Sequence, residues 1–356
     1  MRMKHHIIKR ILVLLLFICF YPQDVMSESL EETYASAIRQ LNQEGFSGID
    51  KALKVFEEII QKDPNFIRAY LSAADAYLLK YEFTEKKDKQ WLDTAMNYLD
   101  TAIGKDGKLT TAYFKRAVIH FNLEEPDKAI TDLKKSMELS PAYFDARILY
   151  LQYLLSVKNK EEAGKFAESS IKLFPKDPAP LKYFGDVFFQ AGAYQEAIEY
   201  YKKVIALVPN APNTHFNLGR SYQNLKKYDK AIGSFKKALA QNSELIDAHF
   251  NLAYCLSEMG KFKEAITHLE TYLKKTPKDV SALNNLAILY EQTGEVPKAR
   301  LTWLKVKEAT EDSSYKERAD QHLYRLLSPK DKPKASLEEK PASPKTGGKK
   351  DDKKTK

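Results

Sequence analysis

The sequence predicts an all-α array of short helix pairs, and three observations carry that expectation. Alanines recur at Ala52, Ala95, Ala129, Ala163, Ala197, Ala231, Ala265 and Ala299, every step being 34 residues except the first, which is 43. Prolines keep the same ruler, from Pro141 to Pro175 to Pro209 and on to Pro277. Small residues at Ala74, Ala117, Gly185, Gly219, Ala253 and Ala287 hold a fixed place ahead of the alanines. A period of this length is the mark of stacked supersecondary units, none of which can bury its own apolar face alone.

Taken in order, the chain opens on "MRMKHHIIKR", with four bases, followed by the eleven-residue apolar run Ile11–Tyr21 and the small-residue site Val25-Met26-Ser27. Eleven residues fall short of the roughly twenty that cross a bilayer core. The pattern reads as a secretory signal peptide over 1–27, cut after Ser27. An uncleaved anchor and a lipid-modified Cys19 are the alternatives, with bulky Ile18 standing against the second. Removal of the segment leaves Cys255 as the one cysteine, so no intramolecular disulfide forms, and its apolar helical setting reads as a small buried hydrophobe.

The array is expected over 28–313, in eight units starting near 33, 67, 110, 144, 178, 212, 246 and 280. In the sixth, His215, Leu218, Gly219 and Tyr222 follow helical spacing, "KKY" makes a turn, and Ala231, Phe235 and Ala238 form a second stripe. Prolines close units because they lack an N–H and clash with the preceding turn. Three departures are visible: Ser36 and Arg39 occupy apolar places in the first unit, nine extra residues lie near "YEFTEKKDKQ" in the second, and Leu151 takes the small position of the fourth. Tyr315, Ala319, Leu323 and Leu326–Leu327 line one face of a terminal capping helix over 314–328. The tail 329–356 is rich in Lys, Pro, Ser and Gly and too poor in apolar groups to fold. It reads as a solvated spacer, the alternative being a contact with anionic envelope polymers or headgroups.

These units resemble the tetratricopeptide repeat (TPR), whose pattern of an aromatic, Leu-Gly, Tyr, Ala, Phe and Ala falls on His215, Leu218-Gly219, Tyr222, Ala231, Phe235 and Ala238. In the fifth unit it falls on Leu181, Phe184-Gly185, Phe188, Ala197, Tyr201, Val204 and Pro209. The resemblance implies a right-handed superhelical solenoid of about eight helix-turn-helix units, with first helices lining a concave groove. It also implies that Asn217, Asn251 and Asn285, 34 apart, form a ladder that binds the main chain of an extended peptide. An amide offers one acceptor and two donors, which match a peptide group whatever its side chain. The same position carries Tyr183, Leu149 and Lys115 in earlier units, so the fold does not require asparagine there. Neighbouring groove positions by register are Asn213, Phe216, Arg220, Asn224, Asp247, Phe250, Tyr254, Asn284 and Ile288.

Charge narrows the partners. Of the net +9, the first ten residues supply four, and residues 328–356 carry ten lysines against five acids, leaving 11–327 neutral. A nucleic-acid binder needs a net basic field there, so none is expected. Membrane contact is left to the N-terminal anchor, lipidation or the basic tail. No glycine-rich phosphate loop, H-E-x-x-H, paired cysteines or G-x-S-x-G occurs. Neither cofactor, metal nor catalysis is expected, and His215 and His249 read as packing residues. The expected function is a protein-interaction scaffold in a bacterial periplasm or envelope, holding extended partner segments. The alternative is an accessory subunit of an envelope assembly or secretion machine that touches partners through its convex face and ends.

Overall fold

Every regular element among the described residues is helical, and the helices come as consecutive antiparallel pairs. The computed structural model describes residues 28–84 and 87–327. The expected signal segment 1–27 with Cys19, and the tail 329–356, lie outside them. The pairs are α1 (Glu28–Glu44) with α2 (Ile49–Lys62), α3 (Ile67–Phe83) with α4 (Lys89–Lys105), and α5 (Thr110–Asn122) with α6 (Pro126–Leu139). Then follow α7 (Phe144–Ser156) with α8 (Lys160–Ile171), α9 (Pro178–Gln190) with α10 (Tyr194–Leu207), and α11 (Pro212–Asn224) with α12 (Tyr228–Gln241). The last are α13 (Ile246–Glu258) with α14 (Phe262–Lys275), α15 (Val280–Gln292) with α16 (Val296–Ala309), and a single closing helix, α17 (Ser313–Arg325). They form two compact units, one ending at Ala248 and the other beginning at His249. The all-α repeat architecture read from the 34-residue period is the one observed.

Seven of the first helices stop on a left-handed residue, which from the third pair onward recurs every 34 residues and in the first comes two residues early. Gly45, Glu124, Lys158, Gly192, Lys226, Gly260 and Gly294 all have φ between 56° and 78°. The next amide then folds back onto the helix, as Lys227 N–H does to Tyr222 O at 2.9 Å and Glu295 N–H to Tyr290 O at 2.8 Å. This bond satisfies a carbonyl that the helix end leaves orphaned. Second helices begin with an acid in the first turn in most pairs, among them Asp127, Glu196, Asp229 and Glu264. Negative charge there complements the helix dipole.

Within each pair the helices cross at two matched positions, and their sizes compensate. Tyr201 and Phe235 point their rings at Gly185 and Gly219 so closely that a Cβ would lie 2.8 Å and 2.6 Å from ring carbons. By the same register Ala74 faces Leu99, Ala117 faces Leu133, Ala253 faces Leu269 and Ala287 faces Trp303, all buried. In the fourth pair the sizes invert: fully buried Leu151 is matched by Ala167. The large side chain at the small place is therefore accommodated, because close-packed interiors constrain summed volume more than the location of bulk.

The first pair corrects the sequence reading, which put exposed Ser36 and Arg39 in its apolar places. The helix forms with its apolar stripe two residues earlier, on Tyr34, Ala37, Ile38 and Leu41, packed against Phe56, Ile59 and Phe66. The two displaced residues are taken up in the turn, where a one-turn 3-10 helix spans Gly45–Gly48. Gly45 follows Ile38 by seven residues, the interval from Gly219 to Lys226. The nine extra residues of the second pair act differently. At the equivalent place Tyr81 is still helical, so α3 runs on to Phe83 and both α3 and α4 reach 17 residues.

Closing helix α17 covers the last pair by packing Ala319, Tyr315, Leu323 and Leu326 on Leu283, Ala287, Trp303 and Val306. Glu291 ties the contact, accepting from Trp303 Nε1–H at 2.5 Å and lying 2.7 Å from His322 Nδ1, while the two rings stack at 4.3 Å.

The crossing makes a signed prediction. Gly233 lies exposed within α12 with open space around it. Alanine there should stabilise by about 0.5–1 kcal/mol through backbone entropy. Gly219→Ala should instead destabilise by about 1–3 kcal/mol, the overpacking against Phe235 exceeding the same gain. Adding Phe235→Leu to Gly219→Ala should cost less than the two single changes summed, and urea melts of the four variants measure the coupling.

Candidate functional site

The first-helix faces of α9 and α11, both in the first unit, gather a polar cluster between aromatic rings. Asn217 on α11 donates from Nδ2 to Asp186 Oδ1 on α9 at 3.2 Å. The same oxygen accepts from the Tyr201 hydroxyl at 2.8 Å, and Asp186 Oδ2 takes Lys182 Nζ at 2.8 Å. Asn217 is thus a link between successive first helices, with one of its amide donors already used. Lys115 does the same from α5, reaching Asp75 on α3 at 2.6 Å. The two links occupy identical register, their separations of 31 and 40 differing by the nine-residue insertion. Asp75 and Asp186 escaped the sequence reading. The signal that finds them is an acid 31 residues ahead of the asparagine position, once the insertion is subtracted.

One turn along α11, Arg220 lies exposed over the Phe189 ring at 4.7 Å and the Phe216 ring at 5.8 Å. Stacking of a guanidinium on ring faces holds it by cation–π attraction and leaves the N–H edge outward. No carboxylate among the described residues pairs with it. Phe216 itself is half-buried against Phe235 of α12, with centroids 5.7 Å apart. Asn213 is exposed, and exposed Asn224 turns its Nδ2–H to Arg220 O at 2.9 Å, finishing the helix end. Asp247 is exposed in the first turn of α13. Tyr183, 42% exposed, packs edge-on against Phe144 of α7 at 5.5 Å.

In the second unit, Asn251 is half-buried and Tyr254 exposed on α13, and half-buried Phe250 packs on Tyr272 of α14 at 5.2 Å. On α15, Asn285 accepts from Asn284 Nδ2 at 3.3 Å, and Ile288 is half-buried. Asn284 is only 6% exposed and its Oδ1 is buried without a hydrogen-bond partner. It therefore sits behind Asn285, beneath the helix surface.

The histidines take apolar roles. His215 is buried between α11 and α12. Desolvation holds it below the ordinary imidazole range, against an opposing hydrogen bond to the Pro209 backbone. His249 is likewise pushed down by burial and meets His268 on α14, Nδ1 to Nδ1 at 2.9 Å. Among the described residues no group of three or more His, Cys, Asp or Glu could hold a metal ion. Cys255 is fully buried and burial pushes its thiol up to about 12, so it is no nucleophile at neutral pH. No described helix is long and apolar enough to cross a membrane.

With this geometry in hand, comparison with known proteins is decisive for the family. Profiles described as tetratricopeptide repeat match residues 110–143 and 256–313, and one described as anaphase-promoting complex, cyclosome, subunit 3 matches 163–238 and 190–272. The chain is a tetratricopeptide-repeat protein. Human tetratricopeptide repeat protein 13 is 26% identical to this TPR chain over 156 residues, covering 44% of it but only 18% of the human protein. The chain thus spans under a fifth of that relative's length. Among solved structures, the C-terminal part of a TPR repeat-containing protein from Cytophaga hutchinsonii aligns with TM-score 0.55 at 18% identity, over 71% of this chain and 99% of that one. Yeast Tom70 aligns with TM-score 0.50 at 16% identity, over 90% of this chain and 69% of its own. These likenesses establish the fold. The TPR fold is a scaffold for protein–protein interaction and is generally non-catalytic.

The depressed histidines give a pH dependence with a fixed sign. Above about 6.5 the imidazoles are neutral in both states, and as pH falls through that value the unfolded chain binds protons that the native state resists. Stability should be full at pH 7.5 and fall toward pH 5.5. His215→Phe should shrink that fall, as read from thermal melts at the two pH values.

Proposed function

We propose that this TPR protein is an exported scaffold whose first-helix faces hold extended segments of partner proteins. The observation that carries the reading is Arg220. It is held over the faces of two aromatic rings, its donor edge faces solvent, and amides at Asn213 and Asn217 lie on the same helix face. Such a fork matches main-chain carbonyls and carboxylates of a passing chain in a way that a lysine point charge does not. Asn251 and Asn285 offer the same amide chemistry in the second unit. Because Asn217 spends one donor on Asp186, its remaining donor and carbonyl are the groups left for a peptide. Export, to a periplasm or cell envelope, is supported by the basic, apolar and small-residue order of 1–27.

Each amide contact nets about 0.5–1.5 kcal/mol, so replacing Asn217, Asn251 and Asn285 together by Ala should weaken partner binding roughly ten- to a thousandfold. Melting temperature should change little, since none of the three is a core position. Arg220→Lys should lose most of what Arg220→Ala loses. Partners are first captured by crosslinking in the native envelope, then titrated against these variants and against exposed Lys237→Ala on α12. Full binding by the asparagine and arginine variants, with loss in the α12 control, would move the contacts to the second-helix side.

Export is tested separately by N-terminal sequencing of the native protein. A start near Glu28 is expected, whereas a lipid-modified Cys19 or an intact Met1 would overturn cleavage after Ser27.

A further inference from the structure

The fourth unit departs from its neighbours at the end of its second helix as well as at its crossing. Helix α8 stops at Ile171 after 12 residues, while α6, α10, α12, α14 and α16 all run to 14. The final half-turn is replaced by an irregular Lys172-Leu173-Phe174-Pro175, in which Phe174 turns back to pack edge-on against Phe144 at 5.7 Å. Where that half-turn is missing, the last turn of α10 is left uncovered. The result is an open cleft of about 390 Å³ walled by Ile171, Phe174, Leu181 and Leu207.

Its size is in the range of small ligand sites, and its walls are apolar, as such sites require. The wall residue Leu207 is 45% exposed, and beside the cleft Leu173 is 41% exposed, so the apolar surface continues beyond it. Two cations also line it, Lys172 and Lys203. Lys172 forms no ion pair among the described residues, and Lys203 rests only over the Tyr200 ring, 4.9 Å from its centroid. Of the acids on the adjoining segments, Asp177 caps α9 through Ala179 N–H, Glu199 pairs with Lys202, and exposed Glu168 on α8 lies near enough to Tyr200 to add to the rise that burial gives its hydroxyl pKa. Exposed Lys176 in the next turn adds a third positive group. An apolar floor with Lys172, Lys203 and Lys176 along its rim favours one kind of occupant over others, since electrostatic complementarity selects partners and rejects like charge.

We infer that this cleft is a second docking site, separate from the first-helix face, for a short protein segment carrying large apolar side chains flanked by acidic residues. The apolar side chains enter between Phe174 and Leu207, and the flanking carboxylates meet Lys172 and Lys203. The site does not depend on Arg220 or the asparagines.

The test uses the full chain and a fluorescein-labelled decapeptide with a central Leu-Phe pair flanked on both sides by Asp and Glu, followed by fluorescence anisotropy. Saturable binding is expected, weakened at least ~10-fold by Lys172→Glu with Lys203→Glu, and also by raised salt, which screens exposed charge. Leu207→Ser, at an exposed position that leaves the core intact, should weaken it as well. Binding should persist in Arg220→Ala. A peptide with Ser-Ser in place of Leu-Phe, or with Lys in place of the acids, should not bind. Equal affinity for the charge-reversed variant, binding of either control peptide, or loss in Arg220→Ala would each overturn the proposal. So would flotation with phosphatidylglycerol vesicles that needs Lys172 and Lys203 while the peptide fails to bind, because the cleft would then serve a lipid surface.

Discussion

Everything in this molecule rests on how two helices of one unit cross. The crossing point is a volume shared between one residue of each helix, and the chain fills it as Gly with Tyr or Phe, Ala with Leu or Trp, and once as Leu with Ala. From the second unit to the eighth one partner is Gly or Ala and the other is large, whichever helix supplies it, and the small partner lets the backbones approach closely. Because the rest of each apolar stripe is spaced from that point, an error there would displace every contact to the next unit.

That dependence explains which parts of the architecture could be read from the sequence. The in-phase alanines and small residues are the crossing itself written as letters, so the helix pairs and closing helix were legible. Where the crossing is encoded by exchange, as at Leu151 and Ala167, a pattern that looks for a small residue at one place reports a flaw that the packing does not contain. Where it is displaced, as at Ile38, counting back by a fixed period lands on solvent-facing Ser36 and Arg39. Both are limits of scoring positions one at a time, since volume is a property of pairs.

The binding face was legible only in part. Helical register placed Asn213, Asn217, Arg220 and Asn224 on one helix, but it carries no information on what each side chain does across to the neighbouring helix. Asp186 takes an Asn217 donor, Phe189 supports Arg220, and Asn284 lies beneath Asn285, none of which follows from spacing within a unit. The shortened α8 was invisible for a different reason. Pro175 keeps the period there, so the ruler continues unbroken through a segment whose last half-turn has unwound.

The left-handed stop of each first helix has a consequence for where this chain can accept new sequence. Six later units and the first all stop there, using glycine four times and a charged residue three times. Among the described residues the second unit has no such residue, and its first helix simply continues past the place. Helix length in this array is thus governed by a single backbone conformation downstream of the crossing, and the apolar stripe imposes no limit of its own. The stretch after Tyr81 is consequently a natural port: added residues lengthen α3 and its connection to α4 while Ala74, Leu99 and the units on either side keep their packing. A grafted epitope, tag or small folded domain placed there would be carried by a scaffold that has already admitted one insertion at that point.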